Sequence, residues 1–206
     1  DIDAFLEEGW IEDGSKKVKE ILVDKIAVIG EKLSIRRFEK VEAAEGCVAT
    51  YVHGGGRIGV IVEAKTDVVN DAVKEALTNL AMQVAALNPK YVATSDVSEE
   101  YKAHEKEILA AQIAQDPKMA GKPDKVIEGA VNGRLNKELK EVCLLEQVYV
   151  KAEDGKQTVA QYVAQVAKEN GANLSIARFV RFETGEGIEK KQEDFAAEVA
   201  AQMAGN

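Results

Sequence analysis

The sequence has few of the residues that bind metals or act as nucleophiles. Its 206 residues include two cysteines, Cys47 and Cys143, and two histidines, His53 and His104. Neither cysteine has a cysteine or histidine partner at the two-to-four-residue spacing of a zinc motif. We therefore expect no metal site, and two reduced, half-buried thiols in a cytosolic protein.

Long apolar runs and clusters of basic residues are also missing. No stretch approaches the roughly 20 apolar residues of a membrane span, and the chain does not start with a basic segment followed by an apolar one. The formal net charge is −9, whereas binding to a phosphate backbone requires a clustered basic face. The sequence therefore predicts a soluble globular protein with no membrane segment and no direct nucleic-acid partner.

Catalytic patterns are not found either. A serine or cysteine nucleophile needs a positioned base, and neither histidine belongs to such a motif. The GEG at residues 185–187 lacks the preceding strand and following helix of a dinucleotide site. Acidic runs such as EEYKAHEKE are typical of solvated helix faces. We therefore predict no catalytic residue and no cofactor.

The sequence does contain a glycine-rich reversal between two alternating apolar segments. Residues 47–52 and 57–64 alternate like strands, and residues 53–56 read HGGG. Because glycine supplies the positive φ angles of a tight reversal, the pattern predicts a β-hairpin. A P-loop would instead need a lysine followed by serine or threonine and then a helix. The expected shared faces are Val48 with Val52 in the first strand, and Ile58, Val60, Val62 and Ala64 in the second.

Helical spacing follows the hairpin. Apolar residues recur at this spacing over residues 72–87, and Asn88 and Pro89 end the run, so we expect a helix that packs on the hairpin. The same signals predict later elements, which are a strand at Val148–Val150, a helix from Thr158 to Gly171, a strand at residues 174–183 and a helix from Asp194 to Met203.

A helical hairpin is predicted over residues 96–142. Asp96 opens a capping-box pattern, and Pro123 can begin the second helix. Gly129 and Gly133 each cost that helix about 1 kcal/mol relative to alanine, so it is expected to rely on tertiary packing or on a partner. The predicted apolar stripes are Val97, Tyr101, His104, Ile108 and Ala111 in the first helix, and Ile127, Val131, Leu135 and Leu139 in the second.

Two segments of the sequence are similar to each other. LSIRRFEKVEAAEG at 33–46 aligns without gaps to LSIARFVRFETGEG at 174–187. We interpret the two segments as strands in similar roles, and the match is either an echo of an internal duplication or due to chance. The mixed order of elements predicts an α+β fold, with antiparallel sheet subdomains packed with helices and an inserted helical hairpin. The predicted domains are a core α+β subdomain at 1–95, the helical hairpin at 96–142, the continuation of the α+β subdomain at 143–190 and a C-terminal helix at 191–206.

Five collinear blocks of the sequence resemble elongation factor Ts. They are IGEKLSIRRF at 29–38, YVHGGGRIGVIVEA at 51–64, MQVAALNPKY at 82–91, KPDKVIEGAVNGRLNKELKEVCLLEQVYV at 122–150 and RFVRFETGEGIEKKQEDFAAEV at 178–199. The resemblance implies a guanine nucleotide exchange factor that binds the translational GTPase elongation factor Tu and promotes GDP release without covalent chemistry. It also implies a cytoplasmic protein of bacterial type, with an organellar matrix or stroma left open.

The resemblance further implies which residues meet the GTPase. Ile29 and Gly30 correspond to an isoleucine-glycine pair that the family places against the GTPase, and a helix end with a glycine cap explains the pair equally well. His53, with Gly54 beside it, lies in the HGGGRIG turn, where exposed polar groups often bind partners. Val150 falls in a block that the family places near the non-catalytic domains of the GTPase, and a buried strand valine is the alternative.

One element of the family has no counterpart in this sequence. A threonine-aspartate-phenylalanine segment that wedges into the GTPase should precede residue 29, whereas Thr66 and Asp67 follow the hairpin and Val68 replaces the phenylalanine. We expect Asp67 to be a loop residue between a strand and a helix. Because the chain also begins at Asp1 rather than methionine, it is expected to be a core and C-terminal fragment, and its exchange activity is left open.

Two other functions fit parts of the sequence. A small nucleotide-binding enzyme would use the glycines at 54–56 or 185–187 to hold phosphate. A docking or structural interaction module would bind the GTPase, or a second copy of this chain through the helical hairpin, without changing nucleotide release. Neither alternative explains the five collinear blocks.

Overall fold

The computed structural model describes residues 1–188 and divides the chain into two compact units. The first unit is Asp1–Glu42, and the second is Ala43–Asn206, described as far as Ile188. The helix predicted at 194–203 lies outside the described residues. The domain boundaries expected from the sequence remain predictions.

The first unit contains two helices, α1 (Ile2–Leu6) and α2 (Val18–Ile29). Residues 32–43 form neither helix nor strand, so the strand expected at 33–46 from the internal similarity is wrong. A strand needs a neighbour that takes its backbone hydrogen bonds, and residues 1–42 contain no strand that could supply one.

The second unit is built on a three-stranded antiparallel sheet in the order β1-β2-β3. β1 (Cys47–His53) and β2 (Ile58–Thr66) form the predicted hairpin, and β3 (Leu174–Glu183) pairs with the other edge of β2. This arrangement confirms the β-hairpin, the strand predicted at residues 174–183 and the α+β class. Asp67 follows β2 in a loop, as expected, and accepts a hydrogen bond from the Asn173 backbone N–H at 2.7 Å.

Helix α3 (Asp71–Leu87) packs on one face of this sheet. Asn88 ends the helix with a left-handed φ of 46°. The predicted buried face of β2 is confirmed. The predicted face of β1, Val48 with Val52, is wrong, because the side chains that meet the core are Cys47, Ala49 and Tyr51, and Val52 is 65% exposed. The buried residues of this core include Ala49, Val60, Val62 and Ala64 from the sheet and Leu77, Leu80, Ala81 and Val84 from the helix.

Helices α4 (Glu99–Ala114) and α5 (Asp124–Val142) form the predicted helical hairpin. The cap of α4 is Ser98, whose hydroxyl accepts a hydrogen bond from the Tyr101 N–H at 3.1 Å. The prediction that Asp96 caps this helix is wrong. Asp96 belongs to a preceding 3₁₀ turn, and the residue after it is extended, so a helix cannot begin there.

The predicted stripe of the first helix is confirmed at its start, where Val97 is buried and Tyr101 packs against the apolar cluster of the hairpin. Beyond Tyr101, the buried positions differ from the predicted heptad by one or two residues. Leu109 and Ile113 are buried, whereas His104 is exposed and Ile108 is 38% exposed. Helix α5 presents its apolar residues at steps of four, and the buried α4 residues share this spacing rather than the 3.5-residue spacing of a heptad. The predicted stripe of α5 is confirmed, with Ile127 half-buried and Val131, Leu135 and Leu139 buried.

Helix α6 (Val159–Asn170) is confirmed with both of its predicted ends. Thr158 caps its start, and Gly171 ends it with a φ of 60°. The strand predicted at Val148–Val150 is wrong, because this segment makes only an isolated bridge to Thr158. The Tyr149 N–H donates to the Gln157 carbonyl at 2.8 Å, and the Val148 carbonyl and Val150 N–H bond to the side chain of Gln83.

Candidate functional site

The reversal between β1 and β2 presents His53 and three glycines at one end of the sheet. Gly54, Gly55 and Gly56 have φ angles of 61°, 66° and 102°, which residues with a side chain rarely adopt. A phosphate loop would lead into the N-terminus of a helix, whereas this turn leads into β2. The glycines therefore serve the reversal, as the sequence predicts.

His53 is exposed, and its ring is held by one neighbour on its own strand. Its Nδ1 atom lies 2.9 Å from the Tyr51 hydroxyl oxygen, and the two ring centroids are 5.9 Å apart. Because residues i and i+2 of a strand share a face, the strand itself brings the two rings together. The other ring nitrogen, Nε2, has no hydrogen-bond partner in the part of the chain that the structure describes.

Strand pairing extends this surface across the sheet. His53 lies opposite Ile58, which in turn lies opposite Glu183. Neighbouring strands are about 4.8 Å apart, so His53 and Glu183 are about 10 Å from each other on the same face. Arg181 shares this face of β3, two residues from Glu183. We call this region the hairpin-tip surface, which comprises Tyr51, His53, Arg57, Arg181 and Glu183.

Glu183 joins the two arginines of the hairpin-tip surface. Its Oε1 atom lies 3.1 Å from Arg57 Nη2, and its Oε2 atom lies 2.9 Å from Arg181 Nη2. The hydrogen bond from Arg181, aided by that from Arg57, holds the pKa of Glu183 below its ordinary value. The carboxylate therefore stays ionised at neutral pH and ties the turn to β3. The Arg57 carbonyl reinforces this link by accepting a hydrogen bond from the Thr184 N–H at 2.9 Å.

Sequence reasoning does not find this charged cluster. Arg57 and Glu183 are 126 residues apart in the chain, and only the register of β2 with β3 brings them together. The alternation RFVRFE at 178–183 marks a strand with regularly spaced polar residues. It does not indicate which strand is the neighbour.

Ile29 and Gly30 end helix α2 in the first unit. Gly30 has a φ of 76°, and its N–H donates to the Ile26 carbonyl at 2.9 Å. The glycine-capped helix end that the sequence allows is therefore present. Ile29 is 54% exposed, which leaves its apolar side chain on the surface of that unit. The other predicted contact residues, His53, Gly54 and Val150, belong to the second unit.

Val150 is held in place by a fully buried glutamine of α3. Gln83 Oε1 accepts a hydrogen bond from the Val150 N–H at 2.8 Å, and Gln83 Nε2 donates to the Val148 carbonyl at 3.0 Å. Gln83 Nε2 also lies 3.1 Å from Gln147 Oε1. The Val148 and Val150 side chains are 49% and 48% exposed. The alternative of a buried strand valine is therefore wrong, and Val150 is available for contact.

Residues 1–188 contain no cluster suited to metal binding. No three or more His, Cys, Asp or Glu side chains there are grouped so that they could hold a metal ion, and none of the helices in this range is long and apolar enough to span a membrane. Cys47 and Cys143 are unpaired. Burial raises the pKa of both thiols, which keeps them protonated and weakly nucleophilic.

The chain is similar over most of its length to proteins of a known family. The family model described as Elongation factor TS matches residues 1–186. Elongation factor Ts of Clostridioides difficile (strain 630) is 52% identical over 186 residues, which cover 90% of this chain and 59% of that protein. Elongation factor Ts of Clostridium acetobutylicum is 44% identical over 202 residues, or 98% of this chain and 64% of that protein. The chain thus spans less than two thirds of the length of these relatives.

Proposed function

The chain belongs to the elongation factor Ts family, and we propose that it acts in translation elongation as a guanine nucleotide exchange factor. It binds the GTPase elongation factor Tu in the bacterial cytoplasm and promotes the release of GDP. The observation that carries this proposal is the family match over residues 1–186. The absence of catalytic motifs in the sequence agrees with an activity that consists of binding.

Nucleotide exchange of this kind needs differential affinity rather than covalent chemistry. The chain has to bind the nucleotide-free GTPase more tightly than the GDP-bound form. Each tenfold weakening of GDP binding requires about 1.4 kcal/mol of such differential affinity. The coupling is reciprocal, so GDP weakens the binding of this chain by the same factor.

The hairpin-tip surface is the part of the second unit that we assign to GTPase contact. His53 and Gly54 lie at an exposed turn, and the ion pair between Arg57 and Glu183 fixes this turn against β3. A turn that is already ordered loses little conformational entropy on binding. Ile29, Gly30 and Val150 are proposed as further contacts, and the exposure of the Ile29 and Val150 side chains supports this assignment.

Replacing His53 by alanine is expected to reduce the acceleration of GDP release about tenfold, which corresponds to the loss of one polar contact. The fold should not change, because His53 is exposed. The measurement is the release rate of fluorescent GDP from elongation factor Tu, with the chain titrated in and excess unlabelled GDP present. His104→Ala, which removes the other exposed histidine from α4, is the matched control and should leave the rate unchanged.

The same assay separates the alternatives. Equal acceleration by wild type and His53→Ala would reject His53 as a contact residue. Binding to the GTPase without any acceleration would favour a docking module over an exchange factor. If the wild-type chain neither bound the GTPase nor accelerated release, the proposed function itself would be rejected.

We also propose that the helical hairpin pairs with a second copy of this chain. A groove of about 370 Å³ between α4 and α5 is lined by apolar residues, among them Ala110, Ile127 and Val131, and by charged residues such as Lys106 and Glu128. Val126 precedes Ile127 on α5, outside this lining, and is 48% exposed. Val126→Glu is expected to abolish a concentration-dependent rise in mass in sedimentation equilibrium, because a charge buried in an apolar contact loses its hydration. Val69→Glu alters a 50% exposed valine outside the hairpin and should still associate. A single-chain mass for the wild type at every concentration would contradict the proposal.

A further inference from the structure

The Tyr51 hydroxyl forms a hydrogen bond with the Nδ1 atom of the His53 ring. The oxygen and nitrogen are 2.9 Å apart, and neither group has another hydrogen-bond partner among residues 1–188. The Tyr51 ring is half-buried and packs against the core under the sheet, whereas His53 is exposed. A side chain anchored in the core therefore fixes the orientation of one at the surface.

Two proton arrangements fit this distance. Either the phenol O–H donates to an unprotonated Nδ1, or a protonated Nδ1 donates to the phenol oxygen. The first arrangement pairs the better donor with the better acceptor, because a phenol proton is more acidic than that of a neutral imidazole and an imidazole nitrogen is more basic than a phenol oxygen. It also places the ring proton on Nε2, since the hydrogen bond at one ring nitrogen sets the protonation of the other.

We propose that Tyr51 is a positioning residue that donates to Nδ1 and holds neutral His53 with its proton on Nε2. The outward edge of the His53 ring is then an N–H donor. The group that it recognises on a partner is a hydrogen-bond acceptor, such as a carbonyl or carboxylate oxygen. The statement about the partner rests on the proposed contact role of His53, whereas the statement about the ring proton does not.

The charged residues of the hairpin-tip surface do not compete for the His53 ring. Glu183 lies across the sheet from His53, with Ile58 of β2 between them. Both of its carboxylate oxygens form ion pairs, at 3.1 Å from Arg57 Nη2 and 2.9 Å from Arg181 Nη2. The two-strand separation of about 10 Å also keeps Glu183 away from Nε2. The Nε2 edge is thus left for a partner rather than for a neighbour within this sheet.

The test is long-range ¹H–¹⁵N correlation NMR of the ¹⁵N-labelled chain at pH 8. The sequence has only two histidines, so the spectrum contains two imidazoles, and exposed His104 serves as the internal reference. For His53 we expect the pattern of an imidazole protonated almost entirely on Nε2. Tyr51→Phe, which removes only the hydroxyl, should shift this pattern toward the mixed tautomers of His104, while unchanged His104 and backbone amide signals show that the fold is retained.

Two NMR outcomes would overturn the assignment of the ring proton. One is an Nδ1-protonated pattern for His53 in the wild type. The other is a His53 pattern that does not change in Tyr51→Phe. Both outcomes are independent of whether the chain acts on a GTPase.

The donor role of Nε2 is tested in the GDP-release assay with two variants that replace His53 by a residue with an amide side chain. A glutamine at position 53 can place its N–H₂ near the position of Nε2, whereas an asparagine reaches only the position of Nδ1. We expect His53→Gln to retain the wild-type acceleration within about threefold and His53→Asn to lose about tenfold. Equal loss in both variants would reject the donor role. If neither variant loses activity while the NMR result holds, the contact role of His53 fails and the tautomer stands.

Discussion

Gly46→Ala is expected to lower the free energy of unfolding by about 3 kcal/mol, by combining steric overlap with backbone strain. Gly46 precedes β1 and has a φ of 127°, a region that is almost closed to residues with a side chain. A Cβ atom at this position would lie 2.1 Å from the Ala64 carbonyl oxygen and 2.9 Å from the Thr66 nitrogen. Both atoms are backbone atoms of β2, so neither can rotate away. The start of β1 must therefore separate from the end of β2.

Denaturant unfolding followed by circular dichroism measures this effect. Gly59→Ala is the matched control, because Gly59 lies inside β2 with no atom within 4 Å of the position of an added Cβ. This control should stay within about 1 kcal/mol of the wild type. A Gly46→Ala variant as stable as Gly59→Ala would show that the close approach of β1 to the end of β2 is not required by the fold.

Gln83→Leu is expected to cost a similar amount, about 3 kcal/mol, although leucine is the more hydrophobic residue. The Gln83 amide is fully buried and satisfies the Val148 carbonyl, the Val150 N–H and the side chain of Gln147. Leucine would fill much of the space but leave these groups without a partner. Each unsatisfied buried group costs about 1–3 kcal/mol, and release of the segment to water limits the sum.

The matched control for this prediction is Gln112→Leu, which makes the same change on the exposed face of α4. Thermal and denaturant unfolding of both variants should show a loss for Gln83→Leu only. The double variant Gln83→Leu with Gln147→Leu should lose less than the sum of the two single changes, because the two side chains bond to each other. Equal stability of Gln83→Leu and Gln112→Leu would show that water satisfies the segment at no cost.

Local signals in the sequence account for the elements that were predicted correctly. The glycines after His53 have positive φ angles, Thr158 caps α6, and Asn88 ends α3, and each of these signals acts within a few residues. The choice between Asp96 and Ser98 as a cap is also local, but it depends on where the chain leaves the preceding turn. Sequence spacing alone does not contain that information.

Other incorrect predictions concern groups that are distant in the chain. Val148–Val150 has the β-branched alternation of a strand, yet two of its backbone groups bond to the side chain of Gln83, which lies 65 residues before Val148. The segment at 33–46 is similar in sequence to β3, but most of it belongs to the first unit, where residues 1–42 contain no strand to pair with. The charged cluster around Glu183 depends on the register between β2 and β3 in the same way. Such features require the packed structure, because propensity and spacing describe one segment at a time.

The two ends of the helical hairpin meet at one place. The Lys90 and Tyr91 N–H groups donate to the Val142 carbonyl at 2.8 Å and 3.1 Å, and the Leu144 N–H donates to the Tyr91 carbonyl at 2.9 Å. The hairpin also has an apolar cluster distinct from the one under the sheet. Residues 93–141 therefore form an insertion whose two ends are joined by backbone hydrogen bonds. Its helices can change in length during evolution without shifting the register of the strands. The entropic cost of closing a loop grows slowly with its length. The length of this helical hairpin can therefore differ between relatives while the sheet stays the same.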